Sequence, residues 1–317
     1  MRLSFAICSL LVFLGAAPAA QAQPIRGLTG HESAVFALAV RPDGRQLAGG
    51  SFDGTIKIWD MAERQIRTTL TGHNVQISSL AYSPDGRILV SADTSGHVLT
   101  WRPDESLVPR HLEGHVLCAY AAAFGPDGQT IWTCSQDRKI KIWDAHKGEL
   151  LRVLGPMDTP LYALALSADG RRFAVAGLNG LVHIGETDSG EIVRTMAGHR
   201  EAVFTLAFSP DGRRLASAGH DGTIRFCNPE SGEEIGHFEG HRDSVYQITF
   251  GPTGRRLASV AANGLAVIWD PTSGAPLHSH RFPGKSYAAV LSPNGSQLAV
   301  SGAEFDVYLM DLPLGAQ

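Results

Sequence analysis

The 317-residue chain has only four cysteines, and it lacks a Cys-x-x-Cys-His haem attachment, a His-Glu-x-x-His helix and a glycine-rich phosphate loop ahead of a helix. Those absences leave no signal for a covalently held haem, a zinc protease centre or a nucleotide phosphate. Positive charge is short as well. Lys and Arg number 27 against 31 Asp and Glu, so the basic surface that binds a phosphate backbone is missing, and no nucleic-acid partner is expected. Long apolar runs are scarce: Leu3 to Leu14 is the one extended stretch, and it falls short of the ~20 residues that span a bilayer. No membrane span, cofactor or metal is expected.

The same stretch has another use. Arg2 supplies a positive end, Leu3 to Leu14 an apolar middle, and Ala20-Gln21-Ala22 a small-x-small cleavage site, which together read as a secretory signal over residues 1–22. Ala17-Pro18-Ala19 is a weaker alternative site. Cys8 lies inside the apolar stretch, so a lipid-modified mature terminus is not supported. Loss of residues 1–22 removes Arg2 alone among charged groups and leaves 26 basic against 31 acidic side chains, a net charge of −5. A periplasmic or secreted protein is expected, with residues 23–317 forming a single domain.

Glycine is abundant, at 35 residues or about 11% of the chain, against ~7% in ordinary domains. It recurs on a clock. Gly-His pairs end at His31, His73, His115, His199 and His241; Trp59, Trp101, Trp143 and Trp269 keep the same spacing; turn glycines fall at Gly44, Gly86, Gly128, Gly170, Gly212, Gly254 and Gly295. These define seven repeats separated by five steps of 42 and one of 41. Within a repeat, a short apolar run, a Pro-Asp-Gly type turn, a second run, an Asp-Gly type turn and a β-branched run follow one another. A fourth short run such as Gln65 to Leu70 closes the unit. Turn signals about every ten residues with no helical period between them predict antiparallel strands throughout.

Gly-His at the start, Ser-x-x-x-Asp in the middle and Trp-Asp at the end of a 42-residue unit resemble the WD-repeat β-propellers, over residues 24–311. The resemblance implies an all-β, seven-bladed propeller of four-stranded antiparallel blades. Each repeat then supplies three strands of one blade and the outer strand of the previous one, and Pro24 to Thr29 pairs with the last blade. It also points to a bacterial-type exported member of the family. Each blade of such a propeller is held by a polar chain in which Asp meets His, His meets a Ser or Thr hydroxyl, and the hydroxyl meets the Trp indole.

Repeat three carries the full set as His115, Thr133, Asp137 and Trp143. Repeat one has Gly49 at the hydroxyl position, repeats two and six have Ser95 and Asn263 at the Asp position, and repeat five has Cys227 at the Trp position. Repeats four and seven replace three members together, with Met157, Val175 and Gly185 in one and Phe282, Val300 and Met310 in the other. Losing the whole set is nearly neutral, whereas losing one member strands the others. The five Gly-His histidines therefore read as structural.

No catalytic constellation emerges. The aspartates sit at turns, where side chain to backbone bonds account for them, and no loop is expanded to carry and cover reacting groups. His278 and His280 share a strand face but have no third ligand nearby in sequence. One position does stand out: Phe36, Tyr120, Tyr162, Phe204, Tyr246 and Tyr287 occupy the same place in six repeats, with Ser78 in the other. Around them the large apolar positions sit three apart before settling to two, as Val35, Leu38 and Val40, which indicates a bulge. In WD-repeat propellers this bulge position commonly helps bind partners at one mouth of the central channel, where six rings would form a collar. The other reading packs the rings between blades beside small residues such as Ala39 and Ala123. Phe52, Gln136, Leu178 and His220 extend the same surface, and Glu32 and Glu201 lie in its loops.

Cys118 and Cys134 flank the Pro126-Asp127 turn almost symmetrically. A cross-strand disulfide is one reading, and a bulge that turns Cys118 away is the other. Cys227 is expected free. The expected function is monomeric protein or peptide binding by an exported scaffold. An accessory subunit of an exported redox enzyme complex and a propeller enzyme are the alternatives from other classes.

Overall fold

A computed structural model describes residues 25–313, and among these every regular element is a β-strand. The leader reading of residues 1–22 lies outside them. In the first repeat, Val35–Val40, Gln46–Ser51, Ile56–Asp60 and Gln65–Leu70 form one antiparallel sheet in that order from the axis outward. Their turns follow from the residues. At the first, Gly44 takes φ 73°, its N–H reaches the Arg41 carbonyl at 2.8 Å, and the Asp43 carboxylate accepts from the Arg45 amide at 2.9 Å. A side chain other than glycine's would strain that left-handed position.

Seven such sheets result. The last is completed by Arg26–Leu28, which pairs antiparallel with Val307–Asp311 through Leu28↔Val307 and Arg26↔Leu309. The innermost strand of each blade lies against those of both neighbours, including Val35–Val40 against Ser286–Leu291, so the ring closes. Closure removes the sheet edges that a linear array would expose.

The core is divided. Seven apolar clusters lie between neighbouring blades, one of them joining Ala37, Ala39, Ile58 and Leu70 to Ile77, Leu80 and Trp101. Second strands such as Gln46–Ser51 and Leu89–Asp93 are buried on both faces, whereas outer strands such as Gln65–Leu70 are largely exposed. Small residues crowd the inner strands, as in Ala163, Ala165, Ala174 and Ala176 of blade four, where converging blades leave least room.

At the end of the channel where innermost strands begin, the blades that keep the polar set are tied by it. In blade three the His115 Nδ1–H donates to Asp137 at 2.9 Å, Nε2 accepts from the Thr133 hydroxyl at 2.8 Å, and that oxygen accepts the Trp143 indole N–H at 3.0 Å. The chain has one direction, because a carboxylate only accepts and an indole only donates. Burial lowers the His115 imidazole. Burial also pushes the Asp137 carboxyl up, but donors from His115 and the backbone outweigh that and hold it below its usual range.

Departures from the set are compensated locally in blades one and two but not in blade six. In blade two the acid comes from Asp93 rather than position 95: His73 Nδ1 meets Asp93 at 2.7 Å and Nε2 meets Ser91 at 2.6 Å. Ser95 itself bonds to Asp93. In blade one a Cβ on Gly49 would stand 2.8 Å from the Trp59 ring, and the indole donates instead to the Thr29 carbonyl at 3.2 Å. In blade six His241 meets Ser259 at 2.7 Å, but its Nδ1 is buried without a partner because Asn263 stands where an acid would.

The disulfide reading is corrected. Cys118 and Cys134 are both free thiols, as is Cys227. The bulge in the innermost strand places Ala121 opposite Cys134, while the Cys118 thiol turns to the Thr94 carbonyl of blade two at 2.8 Å.

His115→Ala is expected to cost about 1 to 3 kcal/mol, because Asp137 and Thr133 lose a partner inside the fold. A double-mutant cycle with Asp137→Ala measured by denaturant unfolding should give a coupling of at least about 0.5 kcal/mol, and zero coupling would separate the pair.

Stability should also fall with acid. Burial holds His241 at about 4 in the fold against an ordinary 6.5, so between those values the unfolded chain binds more protons and folding weakens as pH drops. Going from pH 7 to pH 5, this group is expected to remove about 1 to 2 kcal/mol. Urea melts of wild type and His241→Gln at the two pH values measure it: the variant should lose less, and an equal loss would contradict the assignment.

Candidate aromatic collar at the channel mouth

In all seven blades the register of the first two strands slips by one residue at the same place. Val35 pairs with Ser51 but Ala37 with Gly50, and the slip recurs around Ser78, Tyr120, Tyr162, Phe204, Tyr246 and Tyr287. The skipped residue is therefore the aromatic position itself. A bulge releases that residue from the alternation of the strand and re-aims its side chain, here to the channel.

The six rings form a nearly closed file. Tyr120 meets Tyr162 at 4.8 Å between ring centroids, Tyr162 meets Phe204 at 6.0 Å and Phe204 meets Tyr246 at 5.7 Å. Tyr246 meets Tyr287 at 5.5 Å, and Tyr287 stacks on Phe36 at 4.2 Å. All six are half-buried. They line a well of about 220 Å³, so they are neither wholly core nor free at the surface. Ser78 interrupts the file between Phe36 and Tyr120, and its single hydroxyl hydrogen is shared between the Ala92 and Ala119 carbonyls. Burial, with the Cys118 thiol adding to it, pushes the Tyr120 phenol up to about 12, so the hydroxyl is a neutral donor and acceptor at any physiological pH.

Below the rings lies a set of ties that periodicity did not disclose. The residue after the bulge accepts a backbone N–H from the next blade at three positions: Ser79 from Ala122 at 3.0 Å, Thr205 from Ile248 at 3.1 Å and Gln247 from Ala289 at 3.1 Å. The available signal was a polar residue at that one position in an otherwise alanine series.

Around the mouth the surface is apolar in patches. Phe52 is 57% exposed with its ring 6.3 Å from Phe36, and Leu178 is 54% exposed. His220 lies 6.1 Å from Phe204 and pairs with Glu201, Gln136 is half-buried, and Glu32 is exposed. Val116, Leu117 and Phe305 are exposed as well and were not singled out by the sequence. Phe305 sits at φ 67°, at the turn position where five other blades carry glycine, and a bulky exposed ring held there is unusual.

Among the described residues no group of three His, Cys, Asp or Glu side chains is placed to hold a metal, and His278 and His280 have no third ligand. The arrangement offers ring faces, ring edges and phenol hydroxyls. That chemistry suits side-chain capture by stacking and cation–π contact.

The WD domain, G-beta repeat family matches residues 22–60, 64–102, 107–144, 190–228 and 232–270. The stretches between and after these hold the three inner strands of blades four and seven, the two that lack the polar set. Two curated relatives match shorter stretches. Nuclear distribution protein PAC1 of Scheffersomyces stipitis is 46% identical over 46 residues, and Ribosome assembly protein 4 of Saccharomyces cerevisiae is 44% identical over 43. Each match covers 14% of this chain and under a tenth of the relative, 9% and 8% respectively. With matched repeats over more than half of its length and seven blades closed into a ring, the chain belongs to the WD-repeat family of β-propellers.

Proposed function

We propose that the protein is an exported, non-catalytic scaffold that binds a protein or peptide partner at the collar end of its channel. The observation that carries the reading is the file of six half-buried rings, successive centroids 4.2 to 6.0 Å apart, bordered by exposed Phe52, Val116 and Leu178. Aromatic clusters around a recess, rimmed by exposed apolar groups, are the anchors on which interface energy concentrates. The relatives' names, nuclear distribution and ribosome assembly, support a binding role over a catalytic one. The leader-like first 22 residues support action in the periplasm or outside the cell.

The recess suits one inserted Arg, Lys or Pro side chain, which ring faces accept by cation–π or stacking contact, with Glu201 and Glu32 at the rim drawing a cation in. Tyr162 and Tyr246 flank Phe204 at the centre of the file.

Peptides selected from a displayed library against the folded protein should be enriched in these residues. Tyr162→Ala and Tyr246→Ala should each weaken the selected peptides about thirtyfold, the loss of ~2 kcal/mol typical of an aromatic anchor. Arg171→Ala, at a turn on the opposite face, should not. Variants that melt far lower while their folded fraction binds as before would make the rings core and sink the reading.

A further inference from the structure

Three blades lack the tryptophan, and they replace it differently. In blade four Gly185 stands in its place, and a Cβ there would lie 2.3 Å from the Phe173 ring, so Phe173 fills the space while Val175 removes the hydroxyl. In blade seven Met310 is buried at that position and Val300 again removes the hydroxyl. Blade five does neither. Cys227 pairs with Leu215 as Trp59 pairs with Leu47, Trp101 with Leu89 and Trp269 with Leu257. Yet the polar set is intact: His199 meets Asp221 at 3.0 Å and Ser217 at 2.8 Å.

Part of the space is left open, and Arg225 takes up its outer edge beside Gly198. A cleft of about 190 Å³ lies between blades four and five, lined by Val182, Met196, Gly198, Ser217, Phe226 and Cys227. An apolar cavity of ~150 Å³ is enough to take benzene. The His199 imidazole stays covered even without an indole, its side chain 2% exposed against 0% for His31, His73 and His115.

The chemistry of the missing ring can be read from the blades that keep it. Ser91, Thr133 and Ser259 each accept an indole N–H, at 2.8, 3.0 and 2.7 Å. The Ser217 hydroxyl donates to His199 and has no second partner among the described residues. In blade three the Lys141 ammonium stands 5.5 Å from the Trp143 ring centroid, and Arg225 holds the same register position, opposite Ser217 as Lys141 is opposite Thr133. Arg225 lies across Gly198, paired to Glu234 at 2.8 Å, with its Nε buried and unpartnered. It closes the outer end of the cleft, and a rotamer change that moves it outward admits a ring over which it can then stack.

We infer that this cleft binds a planar aromatic bearing one ring N–H, an indole, in the place a tryptophan side chain fills in four other blades, with Ser217 Oγ accepting the N–H and Arg225 lying over the ring face. The site is separate from the collar and does not depend on it.

The test is a ¹⁹F NMR titration of the full chain with 5-fluoroindole. Wild type should broaden or shift the line at millimolar ligand or below. Benzofuran, which has the same shape without the N–H, should compete about tenfold more weakly, the worth of one hydrogen bond. Ser217→Ala should abolish that difference, and Cys227→Trp should fill the cleft, raise the melting temperature and remove binding. Cys227→Phe serves the same purpose where the larger ring does not fold. N-acetyl-5-fluorotryptophanamide distinguishes the source: if it competes, the ring can arrive on a peptide, and if only free indole binds, the ligand is a small molecule. No effect of wild type on the fluoroindole line at millimolar ligand, or the same effect from wild type and a filled variant, would overturn the inference.

Discussion

A four-stranded blade has two apolar faces and no means of covering either by itself, so the whole molecule depends on its ring being closed. Three residues do this. Arg26–Leu28 supplies the outer strand of the last blade, and Leu28 is fully buried in the cluster that joins Val307 and Leu309 of blade seven to Val35, Leu38 and Trp59 of blade one. The collar depends on the same seam, since Phe36 of blade one stacks on Tyr287 of blade seven at 4.2 Å. Repeat arrays bury their cores only between neighbours, and here the first and last blades are neighbours.

Within that frame each blade is governed by a second constraint. Its buried polar chain is stable complete or absent, because each orphaned group costs about 1 to 3 kcal/mol while joint replacement is nearly neutral. Blades two and three keep the chain, and blades four and seven exchange hydroxyl, histidine and indole for apolar groups. Blade six shows a partial case, with His241 Nδ1 left buried and unpaired. Blade five shows another, and the difference is in shape: its polar groups remain in place around a cleft that Arg225 closes at its outer end.

Much of this was legible in the sequence because a strict 42-residue period converts directly into blades, and because the three-residue spacing of Val35 and Leu38 betrays the bulge that frees Phe36. What stayed hidden depends on side chains reaching out of register. Asp93 serves His73 from two residues before the usual acid position, so blade two looked incomplete. Symmetry about a turn put Cys118 and Cys134 together, but the extra bulge residue shifts one strand against the other and sends Cys118 to blade two. The ties from Ser79, Thr205 and Gln247 cross between blades, which no pattern within one repeat can reveal.

Closure of the ring is tested most directly by Leu28→Ala, melted while far-ultraviolet circular dichroism follows the strands and near-ultraviolet circular dichroism follows the packing of the aromatic side chains. A core leucine truncation costs about 2 to 5 kcal/mol, which in a chain of this size lowers the melting temperature by roughly 3 to 8 °C. If closure holds the whole molecule, both signals should move together in a single transition. A small early transition in the far-ultraviolet signal alone, with the near-ultraviolet aromatic signal unchanged until a later one, would contradict it.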